Sequence, residues 1–178
     1  MSQLIVLLGL RCAGKSSVGR ELAKELGLSF VDLDHELAAL EGSGRTAGEL
    51  LAKLGEVAFR ELEAAALSAT LSRGALVLAT GGGVVEREEN RILLGDRAQL
   101  VWLDARDEVL LKRRAEDATS RPLLAGADPA EELSLVGPRR RAFFQALAGR
   151  AYETEERDIL TIAQDLAKGL RGEAGAEG

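Results

Sequence analysis

A chain of 178 residues, 46% of them hydrophobic, can bury one core but is too short for two domains of ordinary size. Its 29 acidic against 23 basic residues give a net charge of −6, which excludes a surface that gathers nucleic-acid backbone by charge alone. One cysteine, Cys12, allows no internal disulfide. The start MSQLIVLLGL has no basic leader or cleavage site, and the apolar runs stop far short of the roughly 20 residues of a membrane span. A cytoplasmic protein with neither nucleic-acid nor membrane partners is expected.

The aliphatic run Leu4 to Leu8 is apolar on both faces, as a central parallel strand requires. It runs into Gly9-Leu10-Arg11-Cys12-Ala13-Gly14-Lys15-Ser16, which matches GxxxxGK[ST], and then into a helical stretch, Ser17 to Leu26. In that context the loop amides and the helix N-terminus converge on phosphate oxygens, Lys15 brings a positive charge to the terminal phosphates, and Ser16 offers a hydroxyl to Mg²⁺. The only asparagine, Asn90, is followed by Arg91, so a guanine-reading Asn-Lys-x-Asp motif is absent.

A second strand is expected over Ser29 to Leu33. Asp32 and Asp34 stand at its C-terminal end, where open α/β sheets bind ligands, and period-two alternation would point both the same way. One carboxylate can serve a metal's hydration shell while the other orients a substrate hydroxyl. Residues 34–73 are longer than one crossover and predict several helices, including Thr46 to Leu54 and Glu56 to Leu71. In the latter, Arg60 and Glu63 are three apart and therefore neighbours, a pairing that can stiffen a guanidinium for bidentate grip of a carboxylate.

The third strand, Ala75 to Thr80, leads into Gly81, Gly82 and Gly83, which allow a ligand close to the backbone. The fourth, Gln99 to Leu103, ends at Asp104, which spacing alone leaves open as a metal ligand. A charged helix follows over Asp107 to Arg114, then an unpatterned stretch, 115–128, containing Ser120-Arg121-Pro122-Leu123-Leu124. Residues Pro129 to Ala148 read as helical with an interruption at Gly137-Pro138. Within them Arg139-Arg140-Arg141 is a basic cluster whose important member spacing does not choose. A weak edge strand over Arg150 to Thr154 and an amphipathic helix over Ile159 to Leu170 complete a single domain, 1–171, before a tail, 172–178, expected to be disordered.

The phosphate loop, Phe30-Val31-Asp32-Leu33-Asp34, Gly-Glu-x-x-Phe-Arg-x-x-Glu at Gly55 to Glu63, the three glycines and Arg121-Pro122-Leu123-Leu124 together resemble the shikimate kinase family, in order and spacing from about Leu4 to Thr154. The resemblance implies a three-layer α/β P-loop kinase fold with a five-stranded parallel sheet, a helical substrate-binding subregion (about 34–73) and a lid (about 115–128). It implies transfer of the γ-phosphoryl group of ATP to the 3-hydroxyl of shikimate, in the pathway to chorismate and aromatic amino acids, by a monomer. A kinase of gluconate or another hydroxy acid is the alternative.

By position, the resemblance makes Lys15, Asp34 and Arg121 catalytic and gives shikimate to Asp34, Arg60, Gly81, Gly82, Gly83 and Arg140. ATP falls to Gly9, Arg11, Cys12, Ala13, Gly14, Lys15, Ser16, Ser17, Arg114 and Arg121, with Arg114 beside the adenine. Ser16 and Asp32 take Mg²⁺, the resemblance favouring Asp32 over Asp104. Arg140 is singled out because the family's Arg-x-Pro-Leu-Tyr pattern falls on Arg140, Ala142, Phe143 and Phe144. Cys12 departs from the family, which more often has glycine there.

Overall fold

The computed structural model of the chain describes residues 3–42, 44–117 and 128–176, with side chains as far as residue 172. Its strands are β1 (Leu4–Leu8), β2 (Ser29–Asp32), β3 (Leu76–Ala79), β4 (Gln99–Asp104) and β5 (Tyr152–Glu153). They form one sheet in the order β2-β3-β1-β4-β5, and every pairing is parallel. β1 is central and all five of its residues are buried, which is why it is aliphatic without alternation.

The helices among the described residues are α1 (Lys15–Leu26), α2 (Leu33–Glu41), α3 (Ala47–Leu71), α4 (Glu88–Arg97), α5 (Asp107–Glu116), α6 (Pro129–Ala148) and α7 (Ile159–Ala176). The chain moves outward from β1 to β2 and then back through β3 to β4. Right-handed crossovers therefore put α1 on one face and α3, α4 and α6 on the other, with α7 packed against α1. This is the expected three-layer α/β architecture with a five-stranded parallel sheet. None of the helices is long and apolar enough to cross a membrane, among the described residues.

Three local features differ from expectation. β2 ends at Asp32, and Asp34 lies in the first turn of α2 rather than on the strand. The side chain of Asp32 accepts from Asp34 N at 3.1 Å and so caps the helix. α6 runs through Gly137-Pro138 without a break. The helix continues although Pro138 lacks a donor, and Gly137 before it is buried, with a Cβ position 3.4 Å from Leu133 and 3.9 Å from Leu10. α7 continues through residues 172–176, part of the expected tail, because extending an existing helix is far easier than starting one.

The two helices expected between residues 46 and 71 are both present as the two parts of α3, which meet at Gly55, whose φ of 78° and ψ of 166° are not helical. Its start is fixed by a capping box in which Thr46 and Glu49 satisfy each other's backbone donors. The joint divides a leading part carrying Ala47, Gly48 and Leu51 from a longer part carrying Phe59, Arg60 and Glu63. Both parts face the same cavity.

Candidate active site

A cavity of about 550 Å³ opens at the C-terminal ends of β1, β2 and β3, the edge at which parallel sheets present loops and helix N-termini. Its floor is the phosphate loop. Gly9 has φ 144°, and a Cβ there would lie 2.2 Å from the Leu103 carbonyl oxygen, so only glycine lets the loop leave β1 against β4. Gly14, at φ 94°, turns the chain into α1. Cys12 is the sole non-glycine with positive φ among the described residues, at 64°. Lys15 is buried and folds back over the loop, donating from Nζ to Gly9 O at 2.8 Å and to Leu10 O at 2.7 Å.

Beside the lysine, Ser16 Oγ donates to Asp32 Oδ2 at 2.6 Å. Two oxygen donors from two elements thus meet at the phosphate end of the cavity. This hard-oxygen pair fits Mg²⁺, which is held by few protein oxygens and completed by water and phosphate. Asp104 is elsewhere, with its carboxylate taken by Arg141 Nε at 2.8 Å. Thr80, which follows β3 where spacing left room for an acid, donates to Leu7 O.

The opposite end is lined by arginines and carboxylates. Arg60 and Glu63 form a buried pair, Nη1 to Oε2 at 2.8 Å, and Arg60 Nε has no partner. The ring of Phe59 lies 5.4 Å from the Arg60 guanidinium. Burial pushes the Glu63 carboxyl up, and nearby Asp34 adds to this; the pull of Arg60 and Arg140 does not cancel it. Gly81 sits between these carboxylates, since a Cβ there would be 3.2 Å from Glu63 Oε1 and 3.3 Å from Asp34 Oδ1. Gly83 makes room for Arg60, and Gly82 packs against the backbone of Leu10 and Arg11. The three glycines therefore join the phosphate loop to the carboxylate-lined end.

Behind the glycines, Asn90 Nδ2 donates to Val84 O at 2.9 Å and Arg91 Nη1 to Val85 O at 2.7 Å, pinning the 3-10 turn Val84–Glu86 onto α4. The three consecutive arginines of α6 separate by partner. Arg141 is bound to Asp104 and Asp107, Arg139 lies outside on Glu86, and Arg140 alone lines the cavity.

Of the residues singled out from sequence, Arg11, Cys12, Gly14, Lys15, Ser16, Ser17, Asp32, Asp34, Arg60, Gly81, Gly82, Gly83 and Arg140 line this cavity, while Gly9 and Ala13 lie beneath the loop. Arg114 does not face it and is paired with Glu132 at 2.9 Å. Its neighbour Arg113 does, reaching Thr154 Oγ1 at 3.0 Å, Thr154 O at 2.6 Å and Cys12 O at 3.4 Å. Arg157 and Ile159, after β5, also line it and were not foreseen, because no local motif marks them. Arg121 and most of the expected lid lie outside the described residues.

A family model described as shikimate kinase matches residues 11–171. The shikimate kinase of Symbiobacterium thermophilum is 39% identical over 174 residues, covering 96% of this chain and 99% of that protein. A solved shikimate kinase from Acinetobacter baumannii, in complex with shikimate, superposes with a TM-score of 0.88 at 35% identity, over 97% of this chain and 95% of that one. A gluconokinase from Sinorhizobium meliloti shares the fold at a TM-score of 0.60, with 18% identity over 98% of this chain and 95% of that one.

Proposed function

The chain belongs to the shikimate kinase family and phosphorylates the 3-hydroxyl of shikimate at the expense of ATP, and from that premise we propose how its side chains divide the work. The observation that carries the assignment is that the phosphate loop, Asp34 and two arginines, Arg60 and Arg140, line one cavity with Gly81, Gly82 and Gly83 between its two ends.

Loop amides over residues 11–17 and Lys15 hold the ATP phosphates, the lysine exchanging its two backbone acceptors for phosphate oxygens. Ser16 and Asp32 would hold Mg²⁺, which would supply positive charge against the phosphates. At the other end Arg60 and Arg140 grip the shikimate carboxylate, and Asp34 accepts hydrogen bonds from ring hydroxyls beside Gly81, Gly82 and Gly83. That grip at both ends aims the 3-hydroxyl oxygen at the γ-phosphorus. The new O–P bond forms as the bond to the β-phosphate oxygen breaks, releasing ADP, and the hydroxyl proton leaves along its hydrogen bond to the Asp34 carboxylate. The transition state of such transfers is loose, so positioning and charge neutralisation contribute more than proton removal, and Asp34 acts chiefly by orienting the hydroxyl.

Arg121, in the expected lid, is assigned to the transferring phosphate, and the adenine end to the part of the cavity lined by Arg113, Arg157 and Ile159, with Arg114 turned aside onto Glu132. We infer a monomeric enzyme acting on small molecules. Its dependence on ATP and its cysteine within the phosphate loop fit the reducing cytoplasm.

The test is ADP release from purified protein with Mg-ATP, with shikimate or gluconate added in parallel and Lys15→Met as the control for contaminating kinase. Shikimate-dependent release that falls at least about a hundredfold in the control is expected, the order of loss seen when one electrostatic donor to a transition state is removed. Release with gluconate alone would overturn the substrate assignment, and an active Lys15→Met variant would overturn the role of the lysine.

A further inference from the structure

Arg139, Arg140 and Arg141 are consecutive on α6, and three like charges so close need acidic partners. Arg141 has two, Asp104 and Asp107. The other two share one carboxylate. Glu86 accepts from Arg140 Nε at 2.7 Å and from Arg139 Nη2 at 2.9 Å. Glu86 ends the 3-10 turn that follows Gly83, and its side chain is only 14% exposed, beside 10% for Arg140 and 61% for Arg139. Burial alone would raise its carboxyl, but the two guanidinium groups outweigh burial and hold it below the usual carboxylate value. Arg140 faces the cavity and Glu86 stands behind it.

A guanidinium is a rigid planar fork with two usable edges. Fixing Nε on a carboxylate turns one edge inward and leaves the two Nη groups to a second carboxylate. We propose that Glu86 is a positioning residue for Arg140, presenting its free edge to the substrate carboxylate while Arg139 balances the charge that Arg140 leaves on Glu86. The proposal rests on the reading of Arg140 as a shikimate ligand. The turn that carries Glu86 also serves the other arginine, because Gly83, three residues earlier, leaves the space that Arg60 occupies. One short segment thus sets both halves of the carboxylate grip.

Without the Glu86 charge, Arg140 regains rotamer freedom and lies beside Arg139, a second cation that has lost the same carboxylate. Glu86→Gln keeps an oxygen for Nε but removes the charge, and Glu86→Leu removes both. Since charge-assisted hydrogen bonds are roughly twice as strong as neutral ones, the KM for shikimate is expected to rise about 5-fold in the first and about 20-fold in the second. Both kcat and the KM for ATP should stay within about twofold, because the loss is of ground-state positioning.

Steady-state kinetics of the full chain with Mg-ATP, for both Glu86 variants and Arg140→Ala, test this. A graded rise in shikimate KM at steady kcat supports the proposal. An unchanged KM in the Glu86 variants while Arg140→Ala raises it overturns the proposal and leaves the Arg140 reading intact. A fall in kcat alone, as from a smaller folded fraction, also overturns it by reducing Glu86 to a structural brace. An unchanged KM in Arg140→Ala sinks the Arg140 reading and the proposal with it. Glu86→Gln is nearly isosteric, so it decides the matter even where Glu86→Leu does not fold.

Discussion

Gly83→Ala is a substitution whose effect can be worked from the geometry. At φ −99° and ψ 3° the backbone of Gly83 suits alanine, so no conformational strain enters. The added Cβ would lie 2.4 Å from Nη2, 2.6 Å from Nη1 and 2.7 Å from Cζ of Arg60. Carbon and nitrogen need about 3.5 Å, so the guanidinium must retreat by about 1 Å. It is buried, bound to Glu63 at 2.8 Å and flanked by the Phe59 ring, so it cannot retreat without disturbing that pair. A hydrogen bond to a charged group contributes about 1.5–3 kcal/mol, so spoiling one of two carboxylate grips should cost about 2 kcal/mol, or about 30-fold in kcat/KM for shikimate. Initial rates of ADP release across a shikimate series at saturating Mg-ATP measure it, with the KM for ATP as an internal control. A variant whose kcat/KM for shikimate stayed within about twofold of the parent would refute both the clash and the role of Arg60.

Ser16→Ala removes one of the two oxygens that meet at 2.6 Å; the Mg²⁺ concentration for half-maximal rate should rise about 10-fold or more, and an unchanged Mg²⁺ titration would remove Ser16 from the metal. Glu63 has a carboxyl raised above 4.5 mainly by burial, so its contribution to stability is complete below that value and is lost as pH rises through its folded value. Glu63→Gln cannot ionise, so denaturant unfolding of both proteins at about pH 4 and about pH 8 should show the variant gaining on the parent at the higher pH. A difference independent of pH, or one of opposite sign, would contradict the raised carboxyl.

Strands were legible wherever burial on both faces makes a run continuously aliphatic, as in Leu4–Leu8. The phosphate loop was legible because its glycines answer local backbone demands, and so was the joint at Gly55. Asp34 was misplaced onto the strand because a short acidic alternation reads the same whether the chain stays extended or is capped, and the cap bond from Asp32 decides it. The roles of Arg139, Arg140 and Arg141 were illegible for another reason. Their partners, Glu86 and Asp104, are 54 and 37 residues away, so only the tertiary fold tells the three apart. Arg113 and Arg114 differ by one step of helical phase, about 100°, which sends one to Thr154 and the other to Glu132.

The fastening of Lys15 to Gly9 O and Leu10 O bears on which anions the loop admits. Its ammonium is already neutralised in part by backbone dipoles, so an arriving anion meets a lysine with existing bonds to give up. Each of those bonds offsets about 1.5–3 kcal/mol of whatever the lysine gains from a phosphate. A lone phosphate, touching few loop amides, recovers little beyond that exchange, whereas a triphosphate engages the whole loop and brings a cation with it. That exchange favours a long, multiply charged anion over a small one without any steric gate.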